Sequence, residues 1–92
     1  MSSRSVELSI ITPAEMFYTG RVDSVRVTTL DGEEGFKAGH AWCVKLLAAD
    51  GHMRLREAEH DGVLRMAALK GGHIDIKDTF VIYAEDAAWV EV

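Results

Sequence analysis

The sequence predicts an all-β domain of many short strands, folded as a sandwich or a barrel. Its 92 residues fit one domain, 1–92, and 48% of them are hydrophobic while 27% are charged, which is typical of a globular chain. Short segments with strand-like patterns alternate with turn dipeptides along the whole sequence, and Asp-Gly occurs three times. Asp-Gly between apolar segments is a strong signal for a β-hairpin, which favours the all-β interpretation.

Four segments have strand patterns. Apolar and polar side chains alternate in Val6–Ile10, Val25–Thr28 and His73–Lys77, and Thr79–Tyr83 is a continuous apolar and β-branched run. Alternation with a period of two is typical of a half-buried strand, because successive side chains point to opposite faces. The continuous run indicates a buried strand.

Two further segments are ambiguous. Ala41–Ala49 and Val63–Lys70 are rich in Ala, Leu and Met, which also favour helices. The tight turns around them favour strands instead.

Turn signals separate these segments. Asp31-Gly32, Asp50-Gly51 and Asp61-Gly62 each predict a hairpin, and Gly71-Gly72 and Lys77-Asp78 predict two more breaks. The chain contains no Asn or Gln, so Gly and Asp carry its turn chemistry.

Charge argues against two classes of partner. The net charge is −5 and the basic residues are scattered, the tightest group being Arg54, Arg56 and Lys45, which predicts no basic patch. Nucleic acids and anionic membranes are bound mainly through Lys and Arg, so neither is an expected partner. The single cysteine, Cys43, cannot form an internal disulfide, which favours a reducing compartment. No apolar run reaches the roughly 20 residues of a membrane-spanning helix.

The stretch Asp31–His40, DGEEGFKAGH, is the first candidate site. A phosphate-binding loop is excluded because Glu33 and Glu34 stand where backbone amides would meet the phosphate. The two glutamates are adjacent, so on an extended chain they point to opposite faces and are poorly placed to act as an acid/base pair. We interpret the stretch as a loop that faces either solvent or a partner.

No catalytic or metal-binding signature is found. The four histidines, which form no HxH or HExxH pair, are His40, His52, His60 and His73. Cys43 has no CxxC partner, and the nucleophile motif GxSxG is absent. Trp42 and Trp89 pack in the core or at its rim, or one of them anchors a protein interface. The residues by themselves indicate a small β module that binds another protein, without a cofactor.

Five segments in order carry a resemblance to a known family. They comprise an opening strand that ends in Thr-Pro, a glycine followed by a valine-rich strand, a glycine-rich stretch that ends in Gly-His-Ala, a Gly-Gly strand start and a closing strand. These are Leu8–Pro13, Tyr18–Val25, Asp31–Ala41, Leu69–Ile76 and Val81–Ala87. With these spacings the chain resembles the N-terminal domain of the ATP synthase epsilon subunit. The resemblance implies a flattened β-sandwich of about ten short strands.

The chain departs from the family pattern in two places. Ala38 and Trp42 stand where the family usually has prolines, and proline stiffens a loop, so we expect a differently shaped segment here. The family usually continues into a helical hairpin that supplies auto-inhibition, whereas this chain stops at Val92. We therefore expect a chain cut at the domain boundary or a natural short form, and no inhibition of ATP hydrolysis by hairpin insertion.

The resemblance implies a non-catalytic rotor subunit in the central stalk of a proton- or sodium-translocating ATP synthase. Its expected partners are the gamma subunit and the c-ring, at the cytoplasmic face of the cell membrane, where the protein is peripheral. Glu33 and His40 match positions at or near the c-ring contact, Phe36 supports the segment from beneath, and Trp42 replaces a rim proline. The alternative is a free-standing interaction module that kept the fold and lost the rotor role.

Overall fold

Nine strands form the regular structure of residues 4–58 and 62–91, which the computed structural model describes. In chain order they are β1 Val6–Ile11, β2 Met16–Thr29, β3 Gly32–Lys37, β4 Cys43–Leu46, β5 Gly51–Glu57, β6 Leu64–Lys70, β7 His73–Ile76, β8 Phe80–Tyr83 and β9 Asp86–Val90. The prediction of an all-β fold is confirmed, and both ambiguous segments contain a strand, β4 and β6. No helix that could cross a membrane is found in the described part of the chain.

The long strand β2 joins two layers. Its first half pairs with β1, and its second half pairs with β3 on one side and β5 on the other. The strand order is β4-β7-β8-β1-β2-β5-β6-β9, with β3 beside β2. Because β2 is shared, the sheet folds into a layer of β4, β7, β8 and β1 and a layer of β3, β2, β5, β6 and β9. We call these the first and the second layer.

Alternating side chains of both layers form one core. In β1, for example, Leu8 and Ile10 point inward and are fully buried, whereas Glu7 points outward and is exposed. The largest buried side chains come from β1, β2, β3, β5, β7 and β8, and they are Leu8, Ile10, Val22, Val25, Val27, Phe36, Met53, Leu55, Ile74, Ile76, Phe80 and Ile82. Burial of such side chains contributes about 1.5–3 kcal/mol each and sets which face of every strand points outward.

The three Asp-Gly turns have different outcomes. Asp31-Gly32 forms the predicted hairpin between β2 and β3, with Gly32 at a φ of 109°. At Asp50-Gly51 the predicted hairpin is wrong, because β4 pairs with β7 while β5 pairs with β2 and β6. These residues carry the chain from one layer to the other, which a local turn signal does not distinguish from a hairpin. The third prediction falls partly on Asp61, outside the described residues, although β5 and β6 pair as antiparallel neighbours.

Candidate protein-binding surfaces

The stretch Asp31–His40 is mostly a strand and not the predicted loop. Strand β3, Gly32–Lys37, pairs with β2 from Ser24 to Thr29. The buried ring of Phe36, 2% exposed, anchors this strand in the core, so the segment is drawn into the sheet. The irregular part begins only after Lys37, where the amide of His40 donates to the Lys37 carbonyl at 3.0 Å.

Glu33 and Glu34 point to opposite faces of β3, as their adjacency predicts. Glu33 lies on the outer face, where its Oε1 is 3.5 Å from Arg26 Nε and both side chains are more than half exposed. Glu34 points the other way: its Oε2 accepts a hydrogen bond from Thr29 Oγ1 at 2.9 Å, and its Oε1 lies 3.5 Å from Lys45 Nζ. Glu34 therefore ties the hairpin to β4, whereas Glu33 is accessible to a partner.

This difference predicts unequal effects on stability. Glu34→Ala is expected to lower the free energy of unfolding by about 1 kcal/mol, because it leaves the half-buried Lys45 ammonium without its carboxylate. The Thr29 hydroxyl loses one of its two acceptors and keeps the Gly32 carbonyl at 2.8 Å. Glu33→Ala, the matched change one residue away on the same strand, is expected to cost no more than about 0.5 kcal/mol, because its ion pair is solvent-exposed. Urea unfolding of the two variants measures both values, and equal or reversed costs would contradict this assignment.

Phe36 and His40 are in contact. Their ring centroids are 4.9 Å apart with an angle of 78° between the rings, so the exposed imidazole lies edge-on against the buried phenyl ring. The Nδ1 of His40 is 2.7 Å from the carbonyl oxygen of Ala41. Phe36 thus lies beneath His40, and the part that either residue plays at a partner surface stays a prediction.

Glu33 and His40 are not close together. Glu33 is near the start of β3 and His40 follows its end. With a rise of about 3.3 Å per residue, the strand separates them by more than about 10 Å. One small ligand does not reach both side chains, whereas a broad protein surface can.

Four apolar side chains form an exposed surface that we call the apolar edge. Trp42, Val44 and Leu46 occupy alternate positions leading into and along β4, and they are 66%, 59% and 60% exposed. Leu30, at the tip of the β2–β3 hairpin, is 67% exposed and its amide donates to the Leu46 carbonyl at 3.1 Å. Strand β4 pairs along its length with β7, and its other side meets the end of β2 only at Leu46 and the adjoining Thr29–Leu47 bridge, as far as the described residues show. The apolar edge therefore lies where the rest of β4 ends the sheet.

The apolar edge continues across the first layer. Leu46 pairs with His73, whose ring stacks on Tyr83 with centroids 4.9 Å apart. Tyr83 is 42% exposed. Contiguous exposed apolar side chains of this kind mark surfaces at which proteins bind one another, whereas single exposed apolar residues are common everywhere.

Sequence reasoning found one member of the apolar edge, Trp42, and missed the other three. The sequence signal for the other members on β4 is the spacing of Trp42, Val44 and Leu46 at every second position, which predicts that they share one face of a strand. It does not predict whether that face is buried or exposed. In the structure β4 pairs with β7 and its opposite face, with Cys43 and the adjoining Leu47, packs on the core, so these three side chains point outward.

The two tryptophans have different environments. Trp89 stacks on Phe17 at 4.7 Å, meets Tyr18 edge-on at 5.7 Å and lies 3.9 Å below the Arg65 guanidinium, so it packs at the rim of the core. Trp42 is largely exposed and packs against no ring among the residues described. Of the two, Trp42 is the candidate anchor for a partner.

Metal chemistry has no site in the described residues. No group of three or more His, Cys, Asp or Glu side chains among positions 4–58 and 62–91 is close enough to hold an ion. Cys43 is a free thiol, half-buried against the core. His60 lies outside the described residues.

Residues 5–90 match the family model described as ATP synthase, Delta/Epsilon chain, beta-sandwich domain. Similar curated proteins include the ATP synthase epsilon chains of Leptospira interrogans, 31% identical over 86 residues, and of Thermobifida fusca, 32% identical over 91 residues. The alignments cover 94% and 97% of this chain and 65% and 66% of those proteins. The chain thus spans slightly less than two thirds of the length of these relatives.

Solved structures share the fold. A chain of the Euglena gracilis mitochondrial ATP synthase, in the assembly described as OSCP/F1/c-ring, superposes with a TM-score of 0.83 at 23% identity. The superposition includes 97% of this chain and 56% of the Euglena chain. A chain of the Tetrahymena thermophila mitochondrial ATP synthase, described as central stalk/c-ring, gives a TM-score of 0.75 at 15% identity, with 96% of this chain and 69% of that chain covered. At these identities the likeness establishes the two-layer β-sandwich.

Proposed function

The chain belongs to the family of ATP synthase delta/epsilon beta-sandwich domains, and from this premise we propose that it is a non-catalytic subunit of the central stalk. The observation that carries the proposal is the family match over residues 5–90, nearly the whole chain. One of the solved structures with the same fold comes from an assembly described as central stalk/c-ring and the other from one described as OSCP/F1/c-ring, which agrees with this role. In this role the domain turns with the stalk and helps to couple proton or sodium flow to ATP synthesis.

The gamma subunit is the proposed partner of the apolar edge. A rotor subunit must stay attached to the stalk under torque, and a permanent interface is more apolar than the rest of a protein surface. Trp42, Val44 and Leu46 are the most suitable side chains for such an interface because they are large, apolar and exposed on one face. The close-packed core behind them transmits force with little deformation.

The c-ring is the proposed partner of the β3 segment. Glu33 and His40 lie at opposite ends of β3, so a contact with both needs a broad surface, as a ring of repeated subunits provides. Phe36 holds the His40 imidazole in place from beneath. Trp42, which follows this segment, joins the two contact regions because it belongs to the apolar edge.

Membrane association follows from the complex. The family assigns the chain to the membrane-associated ATP synthase, and we place it at the cytoplasmic face of the cell membrane as a peripheral component. Contact with the membrane itself is not required, because the proposed partners provide the attachment.

Binding to the gamma subunit tests the proposal. The purified chain and the gamma subunit of the same organism are mixed and separated by size exclusion with light scattering, and a stable one-to-one complex is expected. A second step adds the solubilised c-ring, to which the pair is expected to bind more tightly than gamma alone. Absence of a complex between two folded proteins would contradict the rotor role and favour the free-standing interaction module.

A further inference from the structure

The outer face of the second layer carries cations that come from distant parts of the sequence. Arg26 on β2 lies directly opposite Arg54 on β5, and Ser24 lies between Lys37 on β3 and Arg56 on β5. We call Arg26, Lys37, Arg54 and Arg56 the basic face. The expectation that the chain has no basic patch is therefore wrong, since the strand register brings these side chains together. Lys45 is not part of the face, because it lies on β4 in the first layer.

A fifth cation lies next to the basic face. Arg4 lies against Gly39 in the turn after β3, and it lines a groove together with Asp23, Lys37 and Arg56. These five residues are half of the ten Lys and Arg in a chain that carries −5 overall. Half of the positive charge thus lies on or beside one face of an acidic molecule.

The basic face is only partly neutralised from within. Like charges directly opposite each other in a sheet are destabilising, as Arg26 and Arg54 are here. Among the described residues, Arg26 has a carboxylate within 4.0 Å, that of Glu33, whereas Lys37 and Arg54 have none. A surface that keeps unpaired cations beside one another is suited to a negatively charged partner.

Apolar side chains extend the same face. Arg56 pairs with Leu64 on β6, and Arg54 pairs with Met66, which pairs with Val90 on β9. Leu64 and Val90 are 41% and 38% exposed. One side of the face is therefore cationic and the adjoining side is apolar.

We propose that this face binds an acidic segment of a partner polypeptide, with carboxylates on Arg26, Arg54 and Arg56 and apolar side chains over Leu64 and Met66. The guanidinium groups suit carboxylates, which they bind with two parallel hydrogen bonds. The inference goes beyond the rotor role and does not depend on it, since its test uses this chain alone.

A polypeptide fits this face better than a small anion. The cations stand on three strands about 4.8 Å apart, and the strand amides between them are used in the sheet, so the backbone offers no donors to a phosphate. The adjoining apolar residues need an apolar partner, which an inorganic anion does not provide. An anionic membrane is disfavoured because the remainder of the chain carries a large negative excess.

The test is a titration with a defined probe. A synthetic 16-residue peptide that repeats Glu-Glu-Leu-Ala is added to the isotope-labelled chain, and amide shifts are followed by NMR. Shift changes are expected in β2, β5 and β6, with an affinity that falls as salt is raised. Arg54→Glu is expected to lower the affinity at least about tenfold, the effect of losing one charge-assisted contact. Lys77→Glu, an equal change of charge on an exposed residue of the β7–β8 turn, is expected to change it less than twofold.

The same series defines what would overturn the proposal. Shifts confined to other strands, or an Arg54→Glu variant that binds as wild type, would do so. Inorganic phosphate, or vesicles of phosphatidylcholine and phosphatidylglycerol, binding through the same arginines as tightly as the peptide would assign the face to a small anion or a membrane instead. If Arg54→Glu does not fold, Arg54→Gln replaces it, because a neutral side chain relieves the repulsion with Arg26 and keeps the fold.

Discussion

Replacing Val44 and Leu46 together with aspartate is expected to abolish the complex with the gamma subunit while the domain stays folded. The two side chains are 59% and 60% exposed, so the free domain tolerates a polar group at either position. In the complex the two carboxylates would be buried against an apolar surface without partners. Burial of unpaired charge costs several kcal/mol, so we expect the affinity to fall at least about 100-fold.

A matched pair on the other layer is the control. Leu64 and Val90 are 41% and 38% exposed on the outer face of the second layer, and the double change to aspartate there is expected to leave gamma binding unchanged. Light scattering after size exclusion measures binding, and circular dichroism with thermal melting checks the fold of each variant. If the control loses gamma and the Val44 and Leu46 variant keeps it, the gamma surface lies on the second layer and our assignment fails.

Gly72→Ala is expected to lower the free energy of unfolding by more than about 3 kcal/mol, a large part of the roughly 5–15 kcal/mol of a small domain. Gly72 is the second residue of the link from β6 to β7 and has a φ of 94°, and a Cβ there would overlap the carbonyl oxygen of Tyr83. The obstructing atoms belong to the backbone at the end of β8, where Tyr83 pairs with His73, so they move only if the pairing of β7 with β8 is disturbed. The Gly72 carbonyl also accepts the amide of Leu47 at 2.9 Å, which holds the residue in place.

Gly32→Ala separates this steric effect from backbone strain. Gly32 has a φ of 109°, but a Cβ there would meet nothing within 4 Å. The change is expected to cost about 1–2 kcal/mol from strain alone. Urea unfolding of both variants gives the comparison, and similar values for the two would show that the close approach to Tyr83 has no energetic weight.

The candidate surfaces were only partly predictable. The opposite orientation of Glu33 and Glu34 follows from their adjacency on an extended chain, and the structure confirms it. The loop interpretation of Asp31–His40 is wrong over β3. Within that stretch the glycines and charged residues predict a loop, and a single phenylalanine is too weak a local signal to predict a strand. In the folded chain that one residue, Phe36, enters the core and holds the segment in the sheet.

Residue patterns along the chain are enough to predict that it is all-β, where most turns lie, which side chains of each strand share a face, and to which family the chain belongs. These properties are local or follow the order of segments, because the period of two and the turn residues act over a few positions. Three features are visible only in the folded chain: which strands are neighbours, that Val44 and Leu46 face outward on β4, and that Arg26 stands opposite Arg54. They are not visible in the sequence because strand pairing joins residues far apart in the chain, and the register of that pairing is set by the burial of the whole core.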